Sequence, residues 1–169
     1  GAMIDVGIRR ALLGRHVRRS PDGDPRRGHP RFPGDVADRF GDAKIGELGD
    51  FVYEPDNAVV RSHLIGQVAE QIEAHLFAPE IAYLTSDKEI TSPWLKGYRV
   101  IDNLVFDRKK LKAYLRERGI GVLEIKKRGV DITPEQLRPK LKLKGAGTAT
   151  LILTKVGGAR RALFCKPIR

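Results

Sequence analysis

The sequence lacks the features that mark secreted, membrane-spanning and multi-cysteine zinc proteins. It has one cysteine, Cys165, so it can form neither an internal disulfide nor a multi-cysteine zinc site. It has no run of about 18 apolar residues, which excludes a membrane-spanning helix. It also lacks the N-terminal apolar stretch of a secretory signal. These absences favour a reducing, cytoplasmic location.

The motifs of common catalytic chemistries are also missing. Methyl, hydride and phosphoryl transfer use a glycine-rich turn between a strand and a helix, whereas Gly145-Ala146-Gly147 precedes a predicted strand. There is no Gly-x-Ser-x-Gly motif, and Cys165 has no activating base nearby in the sequence. His63 and His75 have no third ligand at metal spacing. We therefore expect no catalytic, cofactor-binding or metal-binding residues in this chain.

Positive charge is what the sequence has in excess. Its 32 Lys and Arg residues outnumber its 21 Asp and Glu residues, for a formal charge of +11. Residues 107–169 hold 18 basic and 5 acidic side chains, whereas residues 51–106 hold 4 and 8. Such a basic segment predicts a nucleic-acid partner. A solvated surface that only keeps the protein soluble is the alternative.

The first third of the chain shows no regular pattern. Prolines and glycines interrupt residues 18–34, which predicts a surface loop or linker, and residues 8–17 suffice for one short strand or helical turn. The opening Gly1-Ala2-Met3 is typical of a protease-cleavage remnant, so we expect a piece of a longer protein. We interpret residues 1–48 as a strand/loop linker left from a preceding domain, and residues 49–169 as the folded domain.

The next segment predicts one long helix. Pro55 and its acidic neighbours are typical of a helix start, and Ala78-Pro79 of an end. A four-residue repeat supplies the apolar stripe, formed by Val60, Leu64, Val68, Ile72 and Leu76. A short strand is expected at residues 81–85, and Trp94 is interpreted as a packing anchor rather than a base-stacking platform.

The last segment predicts the order strand, helix, strand, helix, strand, strand. Asp107 and Thr133 are typical helix caps, Gly119 a helix exit, and Gly157-Gly158 a hairpin turn. The strands are expected at residues 98–106, 120–125, 149–156 and 160–165. This alternation predicts a small layered α+β fold with helices on one face of the sheet and the other face open.

Basic clusters in this segment are the candidate RNA-binding residues. The run 126–128 follows a predicted strand, and the lysines of 140–144 alternate with leucines, so an extended backbone would align their ammonium groups. If the clusters share a face, several phosphates could be neutralised together, with strong salt dependence. For Arg128 an ion pair with Glu124 or Asp131 is the alternative. The candidates are Lys126, Lys127, Arg128, Lys140, Lys142, Lys144, Arg160 and Arg161.

Four ordered segments together resemble a known family. They are Tyr53-Glu54-Pro55-Asp56 with Ala58 and Arg61, Tyr83-Leu84-Thr85-Ser86-Asp87, Leu123-Glu124-Ile125-Lys126-Lys127-Arg128-Gly129-Val130-Asp131 and Leu141-Lys142-Leu143-Lys144-Gly145. The chain from about residue 48 to residue 169 resembles the C-terminal THUMP-like domain of bacterial class I S-adenosylmethionine-dependent methyltransferases. The run from Leu123 to Asp131 is the most distinctive of the four segments.

The resemblance implies a non-catalytic accessory domain that presents structured RNA, such as tRNA or rRNA, to a catalytic domain. It implies an N-terminal methyltransferase domain on the same chain as a partner, with S-adenosylmethionine bound there rather than in these residues. No membrane or metal partner is expected. The alternative is a protein-interaction or structural module that docks on the catalytic domain or associates with itself.

Overall fold

Seven strands form one mixed sheet in the computed structural model, which describes Phe40 and residues 43–168. In chain order the elements are β1 (Phe51–Pro55), α1 (Asn57–Arg61), α2 (Ile65–Gln71), β2 (His75–Leu76), β3 (Leu84–Ser86), β4 (Leu95–Val105), α3 (Arg108–Glu117), β5 (Ile120–Lys127), α4 (Pro134–Leu141), β6 (Gly147–Val156) and β7 (Ala159–Pro167). Across the sheet the strand order is β2-β3-β1-β4-β7-β6-β5. Only the pair β5–β6 is parallel among these neighbours. The predicted α+β fold class is confirmed.

The four helices between residues 57 and 141 pack on one face of the sheet in two groups. Helices α1 and α2 cover β1 and β3, where Ile65 and Val68 are buried with Phe51. Helices α3 and α4 cover β5–β7, where Leu111 and Phe164 are buried together. The two groups lie on the same face, because residues paired across strands share a face and the register links β1 through β4 to β7. The prediction of helices on one face is confirmed.

The opposite face is partly covered. A third core cluster lies there, and it includes Val52, Tyr98 and Ile152 from the sheet. The non-helical segment 77–83 packs onto this face and buries its own apolar side chains, Phe77, Ala78, Ile81 and Tyr83. The expectation of an open second face is therefore wrong for this region, because segment 77–83 removes apolar sheet surface from water.

The long helix expected between Pro55 and Ala78 is two short helices. Helix α1 ends before His63, which has a positive φ of 55°, and α2 ends before Glu73, whose φ is 54°. The break lets Val59 enter the core with no exposed surface, although the four-residue repeat predicted Val60 for that place. Short helices depend on tertiary packing more than on propensity, so packing decided this geometry. The end of the expected helix is strand β2.

The predicted start of that helix is also wrong in detail. Residues 51–55 form β1, which pairs with both β3 and β4. The helix begins after Asp56, whose side chain accepts a hydrogen bond of 2.7 Å from the Ala58 backbone. Capping by Asp56 agrees with the expected acidic start, but the strand before it was not expected.

The predicted order of elements from β4 to β7 is confirmed. Asp107 caps α3 by accepting from the Lys110 backbone at 2.8 Å, and Thr133 forms a capping box with Gln136 at the start of α4. Gly119 leaves α3 with a φ of 60°, and Gly157 and Gly158 turn the β6–β7 hairpin with φ of 56° and 78°.

Some of the expected elements fall on residues that the structure does not describe. The elements proposed for residues 8–17 and 18–34 lie outside the described residues, and the division into residues 1–48 and 49–169 stays a prediction. No helix within the described part of the chain is long and apolar enough to cross a membrane.

Candidate nucleic-acid interface

The topology places the candidate residues at two ends of the sheet. Residues 126–128 lie where β5 ends, and Arg160 and Arg161 lie near the hairpin at the same end. Residues 140–144 lie at the opposite end, because α4 runs back along β5 and Gly145 packs against the start of β5 at Gly119 and Gly121. Strand β5 has 8 residues, which separates the two ends by about 25 Å.

Strand geometry divides the run 126–128 between two faces. Leu123 and Ile125 belong to the helix-covered core, so Lys127, two residues further on, lies on the helix side of the sheet and is exposed. Lys126 and Arg128 lie on the opposite face, where they contact tyrosines of the third core cluster. The three consecutive basic residues therefore do not form one patch.

Lys126 forms a partly buried ion pair with Glu54 of β1. Its Nζ donates to Glu54 Oε2 at 2.8 Å, and the two side chains are 19% and 22% exposed. The ammonium also lies 3.8 Å from Glu124 Oε1 and 5.5 Å from the centre of the Tyr98 ring. Burial works to lower the pKa of Lys126, but the hydrogen bonds to Glu54 and Tyr98 outweigh it and raise the pKa above its usual value. Lys126 is therefore cationic at neutral pH.

Arg128 faces the same carboxylate. One guanidinium nitrogen lies 3.8 Å from Glu54 Oε1, and the guanidinium lies 5.5 Å from the centre of the Tyr83 ring. Burial raises the pKa of Tyr83 to about 12, and the nearby Glu54 charge adds to the rise. The ion-pair partner of Arg128 is Glu54, and not Glu124 or Asp131 as the alternative interpretation expected.

The lysines of residues 140–144 do not follow an extended strand. Lys140 is in the last turn of α4, Lys142 is its C-cap in the left-handed region with a φ of 50°, and Lys144 follows in the loop to β6. The expected alternating track is therefore wrong, because the capping box and the buried Leu137 continue the helix to Leu141. All three lysines are exposed.

The two arginines of β7 also lie on different faces. Arg160 shares its face with Ala162, a residue of the helix-covered core, and is exposed. Arg161 lies on the other face, where its Nε donates to Asn103 Oδ1 at 2.7 Å and a second nitrogen donates to the Asn103 carbonyl at 3.1 Å. Arg160 therefore joins the helix side, and Arg161 is held by β4.

Helix α3 supplies basic residues that the candidate set omitted. Its buried residues are Leu111, Tyr114 and Leu115, and the helical period turns Lys109, Lys112 and Arg116 away from the sheet. The apolar spacing in the sequence was a sufficient signal for this surface. Within residues 43–168 none of the exposed basic residues of α3 forms an ion pair, and these are Arg108, Lys109, Lys110, Lys112 and Arg116.

These side chains form what we call the basic helix surface. It comprises the five basic residues of α3 together with Lys127, Lys140, Lys142, Lys144 and Arg160. Residues 107–118 and 134–144 together hold ten basic and three acidic side chains. The surface therefore carries an uncompensated positive charge of the kind that attracts phosphates.

The described residues present no exposed aromatic ring on this surface. Their large exposed hydrophobic side chains are Ile45, Ile101, Val105 and Val122. Trp94 is half-buried and packs against the core under α1 and α2. The basic helix surface can therefore contact a nucleic-acid backbone, but it offers no ring for base stacking. Residues 43–168 also hold no group of three or more His, Cys, Asp or Glu that could bind a metal ion.

The comparison with protein families matches the region from β4 to β7. A family model described as THUMP domain-like matches residues 95–167. Residues 95–167 are similar to the THUMP-like family. This THUMP-like domain contains α3, α4 and the whole basic helix surface, whereas β1–β3, α1 and α2 precede it.

Related proteins carry the name of an enzyme class. The chain is 33% identical over 132 residues to two proteins of Mycobacterium tuberculosis, strains CDC 1551 and H37Rv, each named as an uncharacterized S-adenosylmethionine-dependent methyltransferase. The alignment covers 76% of this chain and 36% of each relative. The chain thus spans about a third of the length of these relatives. The expected resemblance to a THUMP-like domain of methyltransferases is confirmed.

A solved structure shares the fold. The crystal structure of a Porphyromonas gingivalis W83 protein named as a methyltransferase superposes with a TM-score of 0.59 at 20% sequence identity. The match covers 70% of this chain and 29% of that chain. It extends beyond residues 95–167 and therefore includes part of the structure that precedes the THUMP-like domain.

Proposed function

We propose that this chain is the RNA-binding, non-catalytic accessory part of an S-adenosylmethionine-dependent methyltransferase. Its THUMP-like domain would hold structured RNA, such as tRNA or rRNA, for a catalytic domain on the same polypeptide. The names of the relatives and the 36% of their length that the chain spans support a separate catalytic part, where S-adenosylmethionine would bind. The basic helix surface is the observation that carries the RNA-binding role.

The chemistry of that surface favours recognition of an RNA backbone. Each lysine or arginine that neutralises a phosphate releases a counterion, so affinity falls as salt rises. Without exposed rings for stacking, the described surface can recognise the shape and phosphates of a helix better than unpaired bases. We therefore expect tighter binding to an RNA hairpin than to an unstructured RNA of equal length.

The experiment compares two double variants that each remove two positive charges. Lys109→Ala with Lys112→Ala removes charge from the outward side of α3, and Lys44→Ala with Arg61→Ala removes it from two exposed positions outside the basic helix surface. Affinity for a labelled RNA hairpin is measured by fluorescence anisotropy between about 50 and about 200 mM salt. The α3 variant should bind more weakly and reduce the slope of log K against log salt by about 2.

The matched variant should retain both the affinity and the salt slope of the parent chain. Equal losses in both variants, or no RNA binding at low salt, would refute the proposed role of the basic helix surface. In that event, an affinity for the catalytic domain that does not change when charge is removed would favour the alternative of a protein-interaction module.

A further inference from the structure

A pocket lies beside Glu54, where β1 and β4 meet the end of β5. Its volume is 290 Å³, and the side chains that line it include Asn57, Trp94, Lys96, Lys126 and Arg128. Lys126 and Arg128 reach it from the face of the sheet that carries no helices. The basic helix surface does not include this pocket.

One carboxylate in this pocket faces three cations. Glu54 accepts a hydrogen bond from Lys126, lies 3.8 Å from Arg128 and pairs with Lys96 in the β1–β4 register. The second acidic residue that lines the pocket, Asp56, is engaged by the backbone of α1. Glu124 Oε1 also lies 3.8 Å from the Lys126 ammonium, so the three cations Lys96, Lys126 and Arg128 face the two carboxylates of Glu54 and Glu124.

Hydrogen-bond donors also remain in the pocket. Arg128 is too far from Glu54 for a hydrogen bond, so the planar guanidinium is engaged with the carboxylate only by charge. Lys96 is exposed at the rim, and the structure pairs it with no carboxylate oxygen in residues 43–168. Guanidinium and ammonium groups in this arrangement are suited to phosphate oxygens.

The size and position of the pocket indicate what it accepts. A volume of 290 Å³ lies just below the usual range of ligand pockets, about 300 to 1,000 Å³, so it suits a single small unit rather than a longer segment. Trp94, which packs against the core under α1 and α2, is among the residues that line the pocket. Lys127, between Lys126 and Arg128 in β5, belongs to the basic helix surface, so a bound chain could pass from that surface around the sheet edge into the pocket.

We propose that this pocket binds one phosphate-bearing nucleotide of the RNA, whose phosphate replaces Glu54 between Lys126 and Arg128. The inference rests on the proposed RNA-binding function for the source of that nucleotide. Glu54 then acts as a competing anion that keeps the two cations in place while the pocket is empty. In a ligand site, loss of the Glu54 charge should strengthen phosphate binding. If Lys126 and Glu54 form only a structural ion pair, the same change should not strengthen it.

The test uses Glu54→Gln, which removes the competing charge and preserves the shape of the side chain. Affinity is measured by calorimetry for adenosine 5′-monophosphate, adenosine and inorganic phosphate, and by anisotropy for the RNA hairpin. The variant should bind the mononucleotide and the RNA about tenfold more tightly than the parent chain. Adenosine should bind more weakly than the mononucleotide to both proteins, because it lacks the phosphate.

A second variant tests the pocket independently, in case Glu54→Gln does not fold. Lys96→Glu adds an anion at the exposed rim and should weaken mononucleotide binding, whereas Lys88→Glu, an equal change at an exposed lysine outside the pocket, should not. Unchanged or weaker mononucleotide binding by folded Glu54→Gln would overturn the inference. So would equal binding by the Lys96 and Lys88 variants.

The outcomes also separate this inference from the proposed function. If the α3 double variant weakens RNA binding and the pocket variants leave RNA and mononucleotide affinities unchanged, the accessory RNA-binding role stands and the pocket inference is wrong. If the mononucleotide binds and responds to Glu54→Gln while no RNA binds, the pocket is a site for a free nucleotide and the proposed RNA-binding function fails.

Discussion

Lys126 of β5 donates to Glu54 of β1 at 2.8 Å, across 72 positions of sequence. In the sheet these strands are separated by β4, β7 and β6, a distance of about 19 Å in a flat sheet. Two side chains cannot span that distance, so the sheet curls around segment 77–83 and brings its two parts together. The ion pair therefore joins β1, which precedes the THUMP-like domain, to β5, the strand at the far edge of the sheet.

Loss of this ion pair should destabilise the fold. Lys126→Met leaves Glu54 partly buried without its hydrogen-bonded partner, and we expect a decrease of about 1–3 kcal/mol in the free energy of unfolding. Urea denaturation measures this decrease in the free energy of unfolding. The matched control is Lys88→Met, which breaks the Lys88–Glu73 pair, whose side chains are 70% and 70% exposed. That change should lower the free energy of unfolding by much less than Lys126→Met does, and equal costs would show that burial does not strengthen the Lys126 pair.

Gly119, just before β5, and Gly121, inside it, should respond differently to the same substitution. A Cβ on Gly121 would collide with the backbone carbonyl of Gly145, which cannot move independently of the chain. A Cβ on Gly119 would meet nothing within 4 Å, although the φ of that residue is 60°. Gly121→Ala should therefore destabilise the protein by more than about 3 kcal/mol, and Gly119→Ala by about 1 kcal/mol. Thermal unfolding of both variants checks the order, and a larger loss for Gly119→Ala would contradict it.

Stability should fall at alkaline pH because of Tyr114. Burial raises its pKa from 10.0 to about 12, and the hydrogen bond that its hydroxyl donates to Asp102 at 2.6 Å adds to the rise. The folded chain thus holds this proton more tightly than the unfolded chain. The contribution to stability is complete below pH 10 and is lost as pH rises through about 12. Urea midpoints across this range should decline less steeply in Tyr114→Phe, and identical declines would exclude Tyr114 as the cause.

The single thiol should be unreactive in the native protein. Cys165 is buried in the third core cluster, and burial raises its pKa to about 12. Because the thiolate is the reactive form, a disulfide reagent at mildly alkaline pH should label Cys165 only when the chain unfolds. The labelling rate should therefore rise with urea along the same curve as the unfolding signal. Rapid labelling without denaturant would show that this core opens locally.

Much of the THUMP-like domain could be predicted from local patterns. The caps at Asp107 and Thr133, the exit at Gly119 and the glycine pair at 157–158 all act within a few residues of themselves, so the sequence sufficed to place α3, α4 and the β6–β7 hairpin. The sequence also showed the positive charge of residues 107–169 and the alternation of basic with apolar residues there.

Tertiary structure decided where the helix before this domain broke and which basic side chains were left for a partner. The four-residue repeat predicted one long helix, but packing of Val59 against the sheet favoured two short ones. The run 126–128 gave no sign that Lys126 and Arg128 would meet Glu54, because their partner lies on a strand far away in sequence. Local pattern is set by neighbours along the chain, whereas the neutralisation of a charge depends on neighbours in space, and folding alone brings those together.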